Sequence, residues 1–270
     1  MRELPLVFFT VLTQTAVGAW IILMVSGTIR PKGWAAPATL LGRLWPRWPL
    51  ALLGTASVFV LAILISTLHL GQPLRAANTL FQVGVSPMSA EIALAGLFAP
   101  LAGISAVMML FQAGPRWTGR MLAWLAVAIG ILFLMAIPRV YRISTVVTWE
   151  SDWTPAIMGL TSLVAGGALA ALLGARHLGA AVSLAGIIAS FCIRPAYLVW
   201  LMHADAGLAS QQTSWFSAQM ILLAAAVCGG LWTLWRDRRT SMVALTLLLV
   251  LVAELVGRIA FYNLWTLPMA

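Results

Sequence analysis

The sequence predicts an all-α polytopic membrane protein, a bundle of eight transmembrane helices with both termini periplasmic. Three observations carry this. The 270 residues are 62% hydrophobic and only 9% charged, with a mean hydropathy of +0.98. That leaves too little polar surface to cover a soluble domain. Eight apolar runs are each long enough to cross a hydrocarbon core that takes about 20 helical residues. The connections between them alternate in charge.

The runs, in order, are residues 4–29, 49–70, 89–113, 119–137, 155–174, 179–202, 215–235 and 241–264. The first ends at a loop holding Arg30, Lys32, Arg43 and Arg47. The second ends at His69, with Arg75 just beyond, and Glu91 opens the third. Arg116 and Arg120 separate the third from the fourth, which ends in Arg139-Val-Tyr-Arg142. Glu150, Asp152 and Trp153 precede the fifth, and Arg176 separates it from the sixth. The sixth contains Arg194-Pro195 and is followed by His203 and Asp205. Arg236, Asp237, Arg238 and Arg239 join the seventh to the eighth, which contains Glu254 and Arg258. The apolar residues flanking these internal charges are too few to form separate spans. Each run has to be helical, because a backbone in lipid satisfies its polar groups internally.

The loops after runs one, three, five and seven hold ten basic residues and one acid. The positive-inside rule places them in the cytoplasm and both termini outside. The net charge of +9 is thus a topology signal. Nucleic-acid binding would need a basic face on a soluble module. No linker or convincing internal repeat divides the chain, so residues 1–270 read as one integral membrane domain. The first apolar run is too long for the core of a cleavable signal. Cys192 and Cys228 lie far apart in apolar runs, expected buried and unpaired, without the spacing of a zinc or iron–sulfur site. Only three histidines are present, too few in suitable places for axial ligation of a haem. Gly96, Gly103, Gly166, Gly167, Gly174 and Gly186 read as sites of close helix packing.

In this topology nearly every non-cytoplasmic charge falls in the outer half of the membrane. Several have structural readings. Glu254 and Arg258, four apart on one helix face, can neutralise each other. Arg194 beside Pro195 can snorkel outward. His203 and Asp205 read as loop residues, and Trp149 and Trp153 as interfacial anchors. His69 and Glu91 are harder to explain structurally, since ionisable groups at membrane depth are functional by default.

Quinol oxidation suits a histidine and a carboxylate at this boundary. It removes two electrons and two protons from a headgroup whose tail stays in lipid. Histidine accepts a proton near neutral pH, and a partly dry glutamate can do the same. The electrons need a redox centre that this chain does not supply.

The segments His69-Leu-Gly-Gln-Pro-Leu-Arg-Ala-Ala-Asn-Thr-Leu, Val83-Gly-Val-Ser-Pro-Met-Ser-Ala-Glu-Ile-Ala, Arg139-Val-Tyr, Thr148-Trp-Glu-Ser-Asp-Trp-Thr-Pro and Glu254-Leu-Val-Gly-Arg-Ile-Ala-Phe-Tyr262 resemble the membrane anchor subunit of bacterial dimethyl sulfoxide reductase. The resemblance spans nearly the whole chain and keeps the motif order; it is weakest in the first basic loop and around runs six and seven. Glu150, within the Trp149–Trp153 motif, departs from the family pattern.

The resemblance implies an eight-helix anchor in the bacterial inner membrane that oxidises menaquinol and serves anaerobic respiration. It implies a four-cluster iron–sulfur partner and a catalytic subunit carrying a molybdenum bis-guanine-dinucleotide cofactor. His69 and Glu91 match the family's quinol positions. Arg75 and Arg194 are additional candidates to orient the ring or hold the carboxylate ionised. The competing classes are a secondary transporter, which would favour repeats and a midplane site, and a purely structural tether.

Overall fold

The computed structural model describes residues 4–29, 47–67, 78, 81–235 and 240–265. Among them lie eight helices and no strand: α1 Leu4–Ile29, α2 Arg47–Thr67, α3 Pro87–Phe111, α4 Arg116–Tyr141, α5 Trp153–Leu173, α6 Arg176–Ala204, α7 Ala206–Trp235 and α8 Thr240–Tyr262. All eight are long and apolar enough to cross a membrane.

The ends differ from the apolar runs where local chemistry extends a helix. α4 continues through Pro138 to Tyr141, and the Arg142 N–H closes it on the Pro138 carbonyl at 3.2 Å. α7 begins at Ala206, well before the apolar run at residue 215. The Asp205 carboxylate accepts the Leu208 N–H at 2.9 Å, satisfying one of the donors a helix start leaves open. Ala209, Gln212, Phe216 and Gln219 then form the buried stripe, at the spacing of one helix face. Asp205 is therefore a cap. His203 lies inside α6, its Nδ1 2.7 Å from the Val199 carbonyl.

The helices form two rings of four. α1 packs on α2, α2 on α3, α3 on α4, and α4 returns to α1; α5 to α8 follow the same order. The rings meet chiefly along α1 and α5, with α8 also against α1 and α4 against α5. Glycine makes that seam. A Cβ at Gly18 would overlap the Ser162 carbonyl oxygen, and one at Gly166 would stand 2.8 Å from the Gly18 Cα. The α5–α6 contact is made the same way, with a Cβ on Gly167 falling 2.6 Å from the Ser183 nitrogen. In lipid, such close backbone approach supplies much of the attraction between helices. Gly186 is also tightly packed, but Gly96 and Gly103 face open space, and Gly174 serves as the α5 cap at φ 129°.

The first ring is filled by aromatic side chains. Phe59 packs on Phe98 at 4.6 Å and on Phe133 at 5.5 Å between ring centroids, and Trp20 donates to the Ala123 carbonyl at 3.3 Å. Cys192 and Cys228 are exposed on the bundle surface, not buried; an apolar run has a lipid face as well as a protein face.

Candidate functional site

Helix alternation brings the starts of α1, α3, α5 and α7 and the ends of α2, α4, α6 and α8 to one face of the bundle. Glu91 lies near the start of α3, whose first residue is Pro87. Proline suits that position because its missing N–H would have had no partner there. Ser89 and Glu91 are both buried, Glu91 at 5% exposure. Glu91 Oε1 makes no hydrogen bond among the described residues. A buried, unsatisfied carboxylate oxygen is costly, and such groups concentrate where a ligand or proton is handled.

Across from α3 stand the ends of α4 and α8. Tyr262 donates its hydroxyl to the Tyr141 hydroxyl at 2.6 Å, and both side chains are buried. Both lie within electrostatic reach of Glu91 and of Arg258. An aromatic wall holds them. Trp149 stacks on Phe261 at 5.3 Å and meets Tyr141 edge-on at 5.6 Å. Trp149 Nε1 donates to the Phe261 carbonyl at 2.9 Å, and Thr148 donates to the Leu264 carbonyl at 2.8 Å. Trp149 is thus an interior strut fastening the α4–α5 connection to the end of α8, not an interfacial anchor. Trp153 is half-buried and Glu150 exposed. Arg142 and Asp152 form an ion pair at 3.1 Å in the open, where such a pair contributes little.

A second polar centre lies deeper, between α1 and the second ring. Arg258 donates to Gln14 Oε1 at 2.7 Å and to Thr161 Oγ1 at 3.0 Å. Thr161 donates in turn to Glu254 Oε2 at 2.6 Å. Glu254 and Arg258 therefore communicate through the Thr161 hydroxyl, in place of the direct pair that their i, i+4 spacing suggests. Arg194 joins this group. Arg194 is 7% exposed, and its guanidinium lies 5.1 Å from the Phe216 ring centroid and 5.8 Å from that of Tyr197. Stacking on aromatic faces is a favoured way to bury guanidinium, and it replaces the outward snorkel. A cavity of about 10 Å³ lined by Thr161, Arg194, Gln219, Glu254 and Arg258 has room for about one water. Gln219 Oε1 at this cavity and Gln14 Nε2 beside Arg258 are buried with no hydrogen-bond partner among the described residues. Gly257 makes this possible, since a Cβ there would collide with the Gln219 amide.

Of the four sequence-predicted site residues, the structure describes Glu91 and Arg194. It groups Arg194 with Glu254 and Arg258, and Glu91 with Tyr141 and Tyr262. His69 and Arg75 lie outside the described residues. Sequence reasoning missed Gln14, Thr161 and Gln219, neutral polar residues inside charge-free runs. It also missed the tyrosines as site residues. A signal existed: the chain has three tyrosines, and all three are buried beside these two centres. Among the described residues, no three His, Cys, Asp or Glu side chains gather as a metal site.

Comparison with known proteins places this geometry. A family model described as DMSO reductase anchor subunit (DmsC) matches residues 1–264. The protein is 30% identical over 278 residues to the C subunit of anaerobic dimethyl sulfoxide reductase from Haemophilus influenzae, covering 98% of this sequence and 95% of that one. It is 31% identical over 288 residues to the corresponding C subunit from Escherichia coli, covering 97% and 95%. It is 30% identical over 281 residues to the E. coli anaerobic dimethyl sulfoxide reductase subunit YnfH, with the same coverage.

Proposed function

This chain belongs to the DMSO reductase anchor subunit family, and we propose that it oxidises menaquinol at the membrane face where α1 begins. Membership makes it the membrane anchor of a molybdoenzyme complex, a multi-pass protein of the inner membrane whose family partners are catalytic and iron–sulfur subunits. The observation that carries the quinol reading is Glu91: a carboxylate 5% exposed at a helix start, with an oxygen no described residue satisfies.

In this reading the whole protein acts as one membrane domain with both termini periplasmic. His69 binds one quinol oxygen and accepts its proton. Glu91 takes a proton and delivers it to the outer water. Arg75 orients the headgroup, while Arg194 adds positive field from the deeper centre. Two electrons pass to an iron–sulfur subunit with four clusters, docked over the outer face at Arg75, Arg142–Trp153 and the His203 end of α6. It hands them to the molybdenum bis-guanine-dinucleotide cofactor of the catalytic subunit. Every charged residue of the deeper centre lies in the same half of the bundle as Glu91, which favours this over a transporter with a midplane site.

The test uses the purified complex and a reduced menaquinone analogue. Quinol-driven reduction of dimethyl sulfoxide is expected with the anchor present and lost when it is removed, while a reduced viologen dye still drives the partner subunits. Reporter fusions after Arg120 and Arg176 should read cytoplasmic. Quinol oxidation by the partner subunits alone would defeat the reading, and periplasmic signals at both fusions would defeat the orientation.

A further inference from the structure

The two hydroxyls beside Glu91 have no part in the reading above, and their geometry assigns them one. The Tyr262 and Tyr141 hydroxyls share a hydrogen bond of 2.6 Å. That bond uses one of the pair's two protons and leaves the other for a further acceptor. The carboxylate within electrostatic reach is Glu91, whose Oε1 is buried and has no hydrogen-bond partner among the described residues. A hydroxyl proton to give and an acceptor without a donor thus lie at the same end of two packed helices, α3 and α4, next to the aromatic wall of Trp149 and Phe261.

We infer that Tyr141, oriented by Tyr262, is a positioning residue that hydrogen-bonds the Glu91 carboxylate and sets it to receive the quinol proton. A side-chain turn of Glu91 or one bridging water closes the remaining gap. The inference rests on the proposed role of Glu91. In the step concerned, a quinol O–H bond breaks, the proton passes to a Glu91 carboxylate oxygen, and the electrons leave to the iron–sulfur partner.

The tyrosine pair is suited to this. Each hydroxyl in a chain polarises the next, so Tyr262 makes Tyr141 a better donor. The pair comes from α4 and α8, one from each ring, so the donor is fixed by the seam between the rings. Arg258 stands one turn below Tyr262 on α8, and Thr10 of α1 lies against the Tyr262 hydroxyl. Among the described residues, the titratable groups within electrostatic reach of Glu91 are Tyr141 from α4 and Tyr262 from α8, and Arg258 acts on both tyrosines. His69 and Arg75, between α2 and α3, lie outside the described residues.

The experiment is the pH profile of quinol-driven turnover in the intact complex for Tyr141→Phe and Tyr262→Phe, with viologen-driven activity reporting assembly. Hydrogen bonds to charged groups are strong enough that losing one moves a carboxylate's titration by about one pH unit. Tyr141→Phe is expected to move the acid limb of the profile to higher pH by about that amount. Tyr262→Phe should move it in the same direction by less. If Tyr141→Phe fails to assemble, the Tyr262→Phe shift decides. An acid limb unmoved in the assembled variants overturns the inference, as does a uniform loss of activity at every pH. Glu91→Gln is run in parallel. If it is inactive and the tyrosine variants are unshifted, only the inference fails; if it oxidises quinol normally, the reading of Glu91 fails too.

Discussion

Glu91→Gln and His69→Ala are each expected to lower quinol-driven turnover by about 10²–10⁴-fold, the usual cost of losing one positioned acid–base group. Viologen-driven activity should stay at the wild-type level. The two readouts separate chemistry from assembly, because the dye reaches the partner subunits without passing through the anchor. Glutamine is the sharper probe. It keeps the volume of Glu91 and an acceptor oxygen, so the start of α3 and its packing against α4 survive. It cannot take up a proton. Glu91 is 5% exposed, so bulk water is poorly placed to substitute. If both variants oxidise quinol at near wild-type rates in an intact complex, the site lies elsewhere, and the Glu254–Arg258 centre becomes the next candidate.

Arg258→Met is expected to destabilise the anchor by about 1–3 kcal/mol, the cost of leaving buried acceptors without their donor, while Arg194 remains beside Glu254 as a countercharge. Gln14 and Thr161 both accept from this guanidinium, and Glu254 is tied to it through Thr161. The loss should appear as less anchor in the membrane and a lower unfolding midpoint in detergent. Glu254→Gln should cost more, about 3–5 kcal/mol, because it leaves the buried Arg194 and Arg258 without a carboxylate. Combining the two should cost less than the sum of the single losses, since only Arg194 is then left without a countercharge. Wild-type amounts of folded Arg258→Met would show that the group does not hold the rings together.

Much of the fold was legible because the signals are local. A run such as residues 241–264 announces a span through its own hydropathy, and Glu254 and Arg258 did not mask it. Helix ends were less legible where a cap replaced apolar character. Asp205 starts α7 through a single hydrogen bond to Leu208, while the polar residues after it look like loop. Trp149 shows the same limit. Beside Trp153 in a polar connection it resembles an interfacial residue, yet it is buried against Phe261. The site was legible as far as charge at membrane depth reveals it, which gave Glu91 and Arg194. Neutral partners such as Gln14, Thr161, Tyr141 and Tyr262 carry no comparable cost in a hydropathy profile, so nothing drew attention to them.

The sequence by itself determined that this protein is an all-helical membrane protein, where its spans lie, and that Glu91 and Arg194 sit at membrane depth, where ionisable groups are costly. Hydropathy and charge decide such matters residue by residue, because lipid rejects unpaired polar groups wherever they occur. The tertiary structure alone decided which polar groups meet. Glu254 follows Thr161 by 93 positions, and Arg258 follows Gln14 by 244. These contacts depend on which helices are neighbours and how each is rotated about its axis. Close glycine contacts such as that of Gly18 with Gly166 fix both, by letting α1 and α5 approach until backbone touches backbone. That approach turns two rings of four helices into one bundle with two buried polar centres.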